Sequence, residues 1–129
     1  MKKQTEEWVE FAENDFSVAQ ELFLRKTKPV FSHVCFNAQQ CAEKYLKALL
    51  IELGHPIERT HNLARLLDLV VQHKPELELH KVPLIVLSRY AVEFRYPGEE
   101  QPDKHSASDA LAIAADIRGL IRLELGLEG

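Results

Sequence analysis

The sequence lacks the segments that mark membrane, secreted and metal-binding proteins. No apolar run approaches the roughly 18 residues of a membrane span. The N-terminal residues 1–11 place polar residues where a signal peptide needs an apolar stretch. The six histidines and two cysteines show no zinc-site spacing. We therefore expect a cytoplasmic protein that has no membrane contact, no metal and no cofactor.

Cysteine is also scarce, and its placement argues against a disulfide. Cys35 and Cys41 fall on one predicted helix. Their spacing separates them by about 9 Å along the helix axis, whereas a bridge needs Cα atoms within about 7 Å. We expect two free thiols in the core.

Basic excess and catalytic motifs are absent too. Lys and Arg number 16 against 20 Asp and Glu, so the net charge is −4. This balance disfavours non-specific binding to duplex DNA but leaves room for a local basic pocket. No glycine-rich phosphate loop, nucleophile elbow or H-E-x-x-H zinc motif occurs.

Helical periodicity is what the sequence does contain, with no clean strand alternation. We predict helices over residues 6–26, 30–53, 61–73 and 82–94, and a fifth that follows Ser106 and ends near residue 125. Thr5 is the expected cap of the first helix, and Ser106-x-x-Asp109 resembles a capping box for the fifth. The prediction is a single all-α domain over 1–129, an up-and-down helical bundle of four main helices plus a short additional one.

Asp15 is unusual because its direction on the first helix lies within about 20° of Trp8, inside the apolar stripe. A buried carboxylate must be paired. Two interpretations remain open: a structural ion pair that fixes helix register, or a group that orients a functional cation.

The second helix carries a polar stripe opposite its apolar arc. Its lysines are candidate phosphate ligands, although the stripe is also what a solvated face with an i, i+4 Glu43–Lys47 pair would show. The stripe consists of His33, Asn37, Gln40, Lys44 and Lys47.

His61 begins the third predicted helix, where the helix dipole disfavours an imidazolium and favours a neutral ring. Such a ring could act as a general base. A packing or capping role is the alternative.

The segment 88–98 gathers arginines and tyrosines around a helix end. Arginine forks suit phosphate and tyrosine rings can stack on bases, which makes Arg89, Arg95 and Tyr96 candidate ligands. The plainer interpretation is an Arg89–Glu93 pair and a helix that stops at Pro97.

Taken in order, these pieces resemble the HEPN family of small helical-bundle proteins. The resemblance covers nearly the whole chain. It is carried by Trp8, Ala12 and Asp15-Phe16, then by Gln40-Cys41-Ala42-Glu43-Lys44, Lys47-Ala48 and Leu49-Leu50, and then by Gly54, Thr60-His61-Asn62-Leu63, Leu66 and Arg95-Tyr96-Pro97.

The resemblance implies a bundle related to the helical domain of some nucleotidyltransferases. It also implies frequent homodimerisation and pairing with a minimal nucleotidyltransferase as a toxin–antitoxin couple. Many members are metal-independent endoribonucleases with an Arg, four to six residues, then a His at the dimer interface. Here Arg89 and Tyr96 fit, but Phe94 stands where the histidine is expected. Whether the chain is an enzyme therefore stays open.

We expect a non-catalytic module that binds a nucleotide or phosphorylated ligand, a partner minimal nucleotidyltransferase, or both. One alternative is a metal-independent endoribonuclease with a rebuilt site, with His61 as the base and Arg89 or Arg95 on the phosphate. Another is plain assembly through apolar surfaces of the second and fourth helices. The expected ligand contacts are Lys44, Lys47, Arg89, Arg95 and Tyr96, with Asp15 in an orienting role.

Overall fold

Helices and the segments that connect them make up the part of the chain that the structure describes, a computed structural model covering residues 1–92, 97–98 and 100–129. These residues contain no strand, which confirms the all-α prediction. The elements are α1 (Lys3–Phe23), α2 (Phe31–Glu52), α3 (Leu63–Val71), a 3-10 helix (Pro75–His80), α4 (Lys81–Val92) and α5 (Lys104–Glu124).

Helix α2 is the centre of an up-and-down bundle. Of its 22 residues, 14 are buried, because α1, α3, α4 and α5 all pack against it. Thr5 of α1 donates a hydrogen bond to Glu52 near the end of α2, so the two helices are antiparallel. None of the helices in the described residues has the length and apolar character needed to cross a bilayer.

Helix starts differ from the sequence-based expectations. Thr5 does not cap α1. It lies inside that helix, buried, and its hydroxyl donates to Glu52. Asp103, not Ser106, caps α5, and its carboxylate accepts from the Ser106 backbone N–H at 2.8 Å. Helix α3 starts at Leu63, two residues after the predicted start at 61, because Asn62 is its cap.

The sequence does not predict the 3-10 helix, because Pro75 follows a helical pattern and is typical of a helix end. Proline is also favoured at the first position of a helix, where its missing N–H leaves no bond unmade. Here Pro75 starts the short helix that leads directly into α4.

The two cysteines are free and buried, as predicted. Burial raises the pKa of the Cys35 thiol to about 11. It raises the pKa of Cys41 as well. Both residues therefore remain neutral thiols that pack as small apolar groups.

One carboxylate joins the first, second and last helices. Glu13 of α1 accepts two hydrogen bonds from Arg118 of α5, Nε to Oε2 at 2.6 Å and Nη2 to Oε1 at 2.9 Å. It also accepts from the hydroxyl of Tyr45, a fully buried residue of α2. The Arg118 guanidinium holds the pKa of Glu13 below its ordinary value. Glu13 is therefore ionised in the folded protein, where it holds the three helices together.

We predict that Glu13→Gln lowers the free energy of unfolding at neutral pH by about 1 to 3 kcal/mol, the usual effect of losing hydrogen bonds to a charged group. Because the folded-state pKa is depressed, the ionised carboxylate stabilises the fold above its unfolded-state pKa. That contribution is lost as pH falls through the lower folded-state value. Denaturant unfolding from neutral to acidic pH should therefore show a shallower acid dependence in the variant. Glu10→Gln, at an exposed position of the same helix, is the control. Equal profiles for the two variants would contradict the prediction.

Candidate functional site

The buried carboxylate of Glu43 on α2 contacts three other polar residues, and these four residues are the candidate site. Glu43 is only 3% exposed. Its Oε2 lies 3.0 Å from Lys47 Nζ and 3.0 Å from His61 Nδ1. Gln39 Nε2 donates to Oε1 at 3.5 Å. We call Gln39, Glu43, Lys47 and His61 the Glu43 cluster.

The spacing of the α2 residues builds this cluster. Gln39, Glu43 and Lys47 follow one another at i, i+4, so they form one row on the helix surface. The row faces α1, where the Lys47 ammonium lies 5.6 Å from the centre of the Trp8 ring. Lys47 is 6% exposed, so the interpretation of this stripe as a solvated face is wrong at Lys47.

His61 is the exposed member of the cluster. Its side chain is 80% exposed, while its Nδ1 faces the Glu43 carboxylate. Since a carboxylate only accepts, this bond places a proton on Nδ1, so in the neutral ring Nε2 is the acceptor. The backbone carbonyl of His61 accepts from Gln39 Nε2 at 3.4 Å, which fixes the residue further. An imidazole held in this way by a carboxylate has the geometry that a general base requires.

Asp15 has a cation as its partner. Its Oδ2 lies 2.5 Å from Lys44 Nζ, and both side chains are about one-fifth exposed. The Lys44 ammonium also lies 5.9 Å from the centre of the Phe11 ring. The polar stripe of α2 therefore supplies the partner of Asp15, and the charge of Lys44 is compensated within the chain.

Arg89 stands apart from these groups. It is exposed on α4 and forms no hydrogen bond or ion pair with the residues that the structure describes. No hydrogen bond or ion pair joins Arg89 to His61 among the described residues. Glu93, Phe94, Arg95 and Tyr96 lie outside the described residues, and with them the alternative of an Arg89–Glu93 pair.

The residue next to Arg89 lines a surface cavity. The Tyr90 hydroxyl donates to Asp109 of α5 at 2.8 Å. The cavity wall also includes Glu100 and Asp103. Carboxylates repel phosphate, so an anionic ligand of Arg89 would lie outside this cavity. Among the described residues, no group of three or more His, Cys, Asp or Glu is placed to hold a metal ion.

Sequence reasoning found His61 and the Glu43–Lys47 pair but not the contact between them. Glu43 precedes His61 by 18 residues, and the 53–62 segment between α2 and α3 brings the imidazole back onto α2. Gln39 was missed as well. Its spacing of four residues from Glu43 was the available signal.

We predict that Glu43→Ala destabilises the fold by about 3 to 5 kcal/mol, because it leaves the Lys47 ammonium buried without its carboxylate. The double variant Glu43→Leu with Lys47→Met should regain most of that loss, since it removes both charges. Chemical denaturation measures both changes. Glu7→Ala, at an exposed position of α1, is the control and should cost little. A Glu43→Ala variant as stable as this control would disprove the role assigned to the pair.

Comparisons with known proteins agree with this architecture. TT1696 from Thermus thermophilus superposes with a TM-score of 0.75 at 23% identity, over 95% of this chain and 99% of that one. ST0689, an archaeal HEPN homologue, superposes with a TM-score of 0.71 at 24% identity, over 97% and 99%. No curated protein matches the sequence. The HEPN domain model matches residues 5–124. The chain therefore belongs to the HEPN domain family.

Proposed function

We propose that this protein is a non-catalytic HEPN module that binds a nucleotide or another phosphorylated ligand. We further propose that it pairs with a minimal nucleotidyltransferase as half of a toxin–antitoxin couple. One observation supports the first proposal: Phe94 occupies the sequence position of the expected histidine, and no hydrogen bond or ion pair joins His61 to Arg89 in its place. Without an imidazole beside the arginine, roughly 10² to 10⁴ in cleavage rate is lost, while phosphate binding needs only the cation.

Arg89 is the principal ligand contact in this proposal. Its guanidinium has no carboxylate partner among the described residues, so its donors are available for the bidentate bonds that phosphate accepts. Arg95 and Tyr96 follow it closely in sequence and add a second cation and a ring for stacking.

Lys44 and Lys47 have a smaller part, because Asp15 and Glu43 already compensate their charges. A phosphate would have to displace those carboxylates, and Lys47 is buried as well. We propose that Asp15 holds Lys44 in place and that neither lysine binds the phosphate directly.

The module works as a homodimer in our proposal. Leu79, Val82 and Ile85 are exposed apolar residues of the 3-10 helix and α4. Val82, Ile85 and Arg89 follow at i, i+3 and i+7 and share one face of α4. A second copy that covers this apolar face would place Arg89 at the edge of the interface. Helix α2 contributes less, because most of it is buried within the chain.

We predict that Val82→Lys weakens dimerisation at least tenfold, because it places a charge in an apolar contact and repels its symmetry mate. Sedimentation equilibrium of the two purified proteins measures the effect. Leu123→Lys is the matched control, since Leu123 is 75% exposed and Val82 is 69% exposed. Wild-type protein that is monomeric at micromolar concentration, or an equal effect of the control, would argue against this face.

A ribonuclease with a rebuilt site is the second candidate, and the His61 geometry favours it. Glu43 orients the ring through Nδ1 and leaves Nε2 free to take a proton from a 2′-hydroxyl. The scissile phosphate would be held by Arg89 or Arg95 of a second copy, because Arg89 of the same chain makes no contact with His61.

For the binding module we predict no cleavage of a mixed RNA pool in EDTA, even at high protein concentration. Calorimetry should detect nucleotide binding that weakens about tenfold or more in Arg89→Gln, since a charged hydrogen bond is lost. Arg65→Gln, at an exposed position of α3, should bind as the wild type does. Cleavage that persists in EDTA and disappears in both His61→Ala and Arg89→Ala would establish the ribonuclease instead.

A further inference from the structure

One long stretch of this acidic chain contains no carboxylate. Residues 22–42 include neither Asp nor Glu, although the chain has 20 of them in 129 residues. The same stretch holds Arg25, Lys26 and Lys28. It forms the end of α1, the connecting loop and the first half of α2. We call residues 24–36 of this stretch the α1–α2 corner.

The three cations of the corner are unpaired and lie close together in the sequence. Residues 24–29 are all exposed. Arg25, Lys26 and Lys28 form no ion pair with any carboxylate in the described residues. By contrast, carboxylates compensate Lys44, Lys47, Lys74, Lys81 and Arg118. Residues 24–29 are therefore a local concentration of positive charge on a protein of net charge −4.

An exposed aromatic ring lies on the α2 part of the corner. Phe36 is 46% exposed in the second turn of α2, about 8 Å along the axis from the first residue of that helix. His33, one turn earlier, is also exposed. Exposed rings beside a row of cations are how proteins bind single-stranded nucleic acids, because the rings stack on bases and the cations follow the backbone. A duplex is a poorer ligand, because its paired and stacked bases offer no free face to Phe36. An acidic protein as the partner would be held by the cations and would not need the ring.

The corner and Arg89 lie at the same end of the bundle. Arg122, near the end of α5, donates a hydrogen bond to Tyr45 in the second half of α2, and Ala107 and Ala110 near the start of α5 are also buried, so α5 runs beside α2 with its start toward the start of α2. Tyr90, at the end of α4, bonds Asp109 in the first turns of α5. A ligand held by Arg89 therefore lies at the end of the bundle that carries the corner.

We propose that the α1–α2 corner binds the backbone of a single-stranded nucleic acid through Arg25, Lys26 and Lys28, with Phe36 stacked on a base. The proposal rests on the proposed function, because it extends that ligand from a nucleotide at Arg89 to a strand that continues to the corner.

The test uses fluorescence anisotropy with labelled uridine and thymidine oligomers of about 12 nucleotides, within the usual range of single-strand sites. Replacing Arg25, Lys26 and Lys28 together by Gln should weaken binding at least tenfold. Because each phosphate contact contributes about 0.7 to the slope of log affinity against log salt, that slope should fall by about 2. Phe36→Ala should weaken binding roughly fivefold or more.

The control variant also loses three positive charges, but at positions outside the corner. Lys3, Arg59 and Arg65 are exposed and form no ion pair with the described residues. Their joint replacement by Gln should leave affinity within about threefold and the salt slope close to that of the wild type. Thermal unfolding of every variant confirms that it is folded, as expected for exposed positions.

The outcomes separate this inference from the proposed function. If the corner variant binds as the wild type does, or the control loses as much affinity, the inference is overturned. Wild-type protein that binds neither oligomer, or that binds polyglutamate instead, overturns it as well. Binding that is lost in Arg89→Gln but kept in the corner variant would support the proposed function and exclude the corner as a binding site. The reverse would support the corner and remove Arg89 as the principal contact.

Discussion

The attachment of α1 depends on cations held between an aromatic ring and a carboxylate. Three occur along this helix. Lys47 lies between Trp8 and Glu43, Lys44 between Phe11 and Asp15, and Arg118 between Phe16 and Glu13. The fully buried apolar side chains of α1 are small ones, Ala12 and Ala19. Its larger rings contact cations of α2 and α5, and Trp8 and Phe16 also pack against the apolar core, so the helix is held by polar as well as apolar contacts.

This arrangement governs which cations can serve a ligand. A paired, half-buried lysine gains little by exchanging its carboxylate for a phosphate, since both partners offer similar oxygen acceptors and the first is already in place. Of the five ligand contacts expected from the sequence, Lys44 and Lys47 are already paired with a carboxylate. Arg89 is not. In our proposal the principal ligand contact is therefore Arg89 near the end of α4, because the two lysines of α2 are already paired with carboxylates.

The α-helices could be predicted from the sequence because their apolar residues follow the helical period, whereas the 3-10 helix could not. The pairing of Asp15 could also be predicted from the sequence, because a carboxylate within an apolar stripe is expected to be buried and a buried carboxylate needs a partner. The burial of Lys47 could not, because an angular count on one helix assumes a single buried face and α2 is packed from several sides. The helix starts were missed where two capping residues compete, as Asp103 and Ser106 do. The contact of His61 with Glu43 depends on the path of a connecting segment, which no local pattern encodes.

The Glu13 contact also sets an order of events during synthesis. Glu13 and Arg118 are 105 residues apart in the chain. At the usual ribosomal rate of about 5 to 20 residues per second, the partner of Glu13 is made roughly 5 to 20 s later. During that interval α1 and α2 can pair, but the carboxylate beside Tyr45 has no cation from α5. Completion of the bundle therefore waits for its last helix, and the nascent chain passes through a stage in which its first helix is only partly secured.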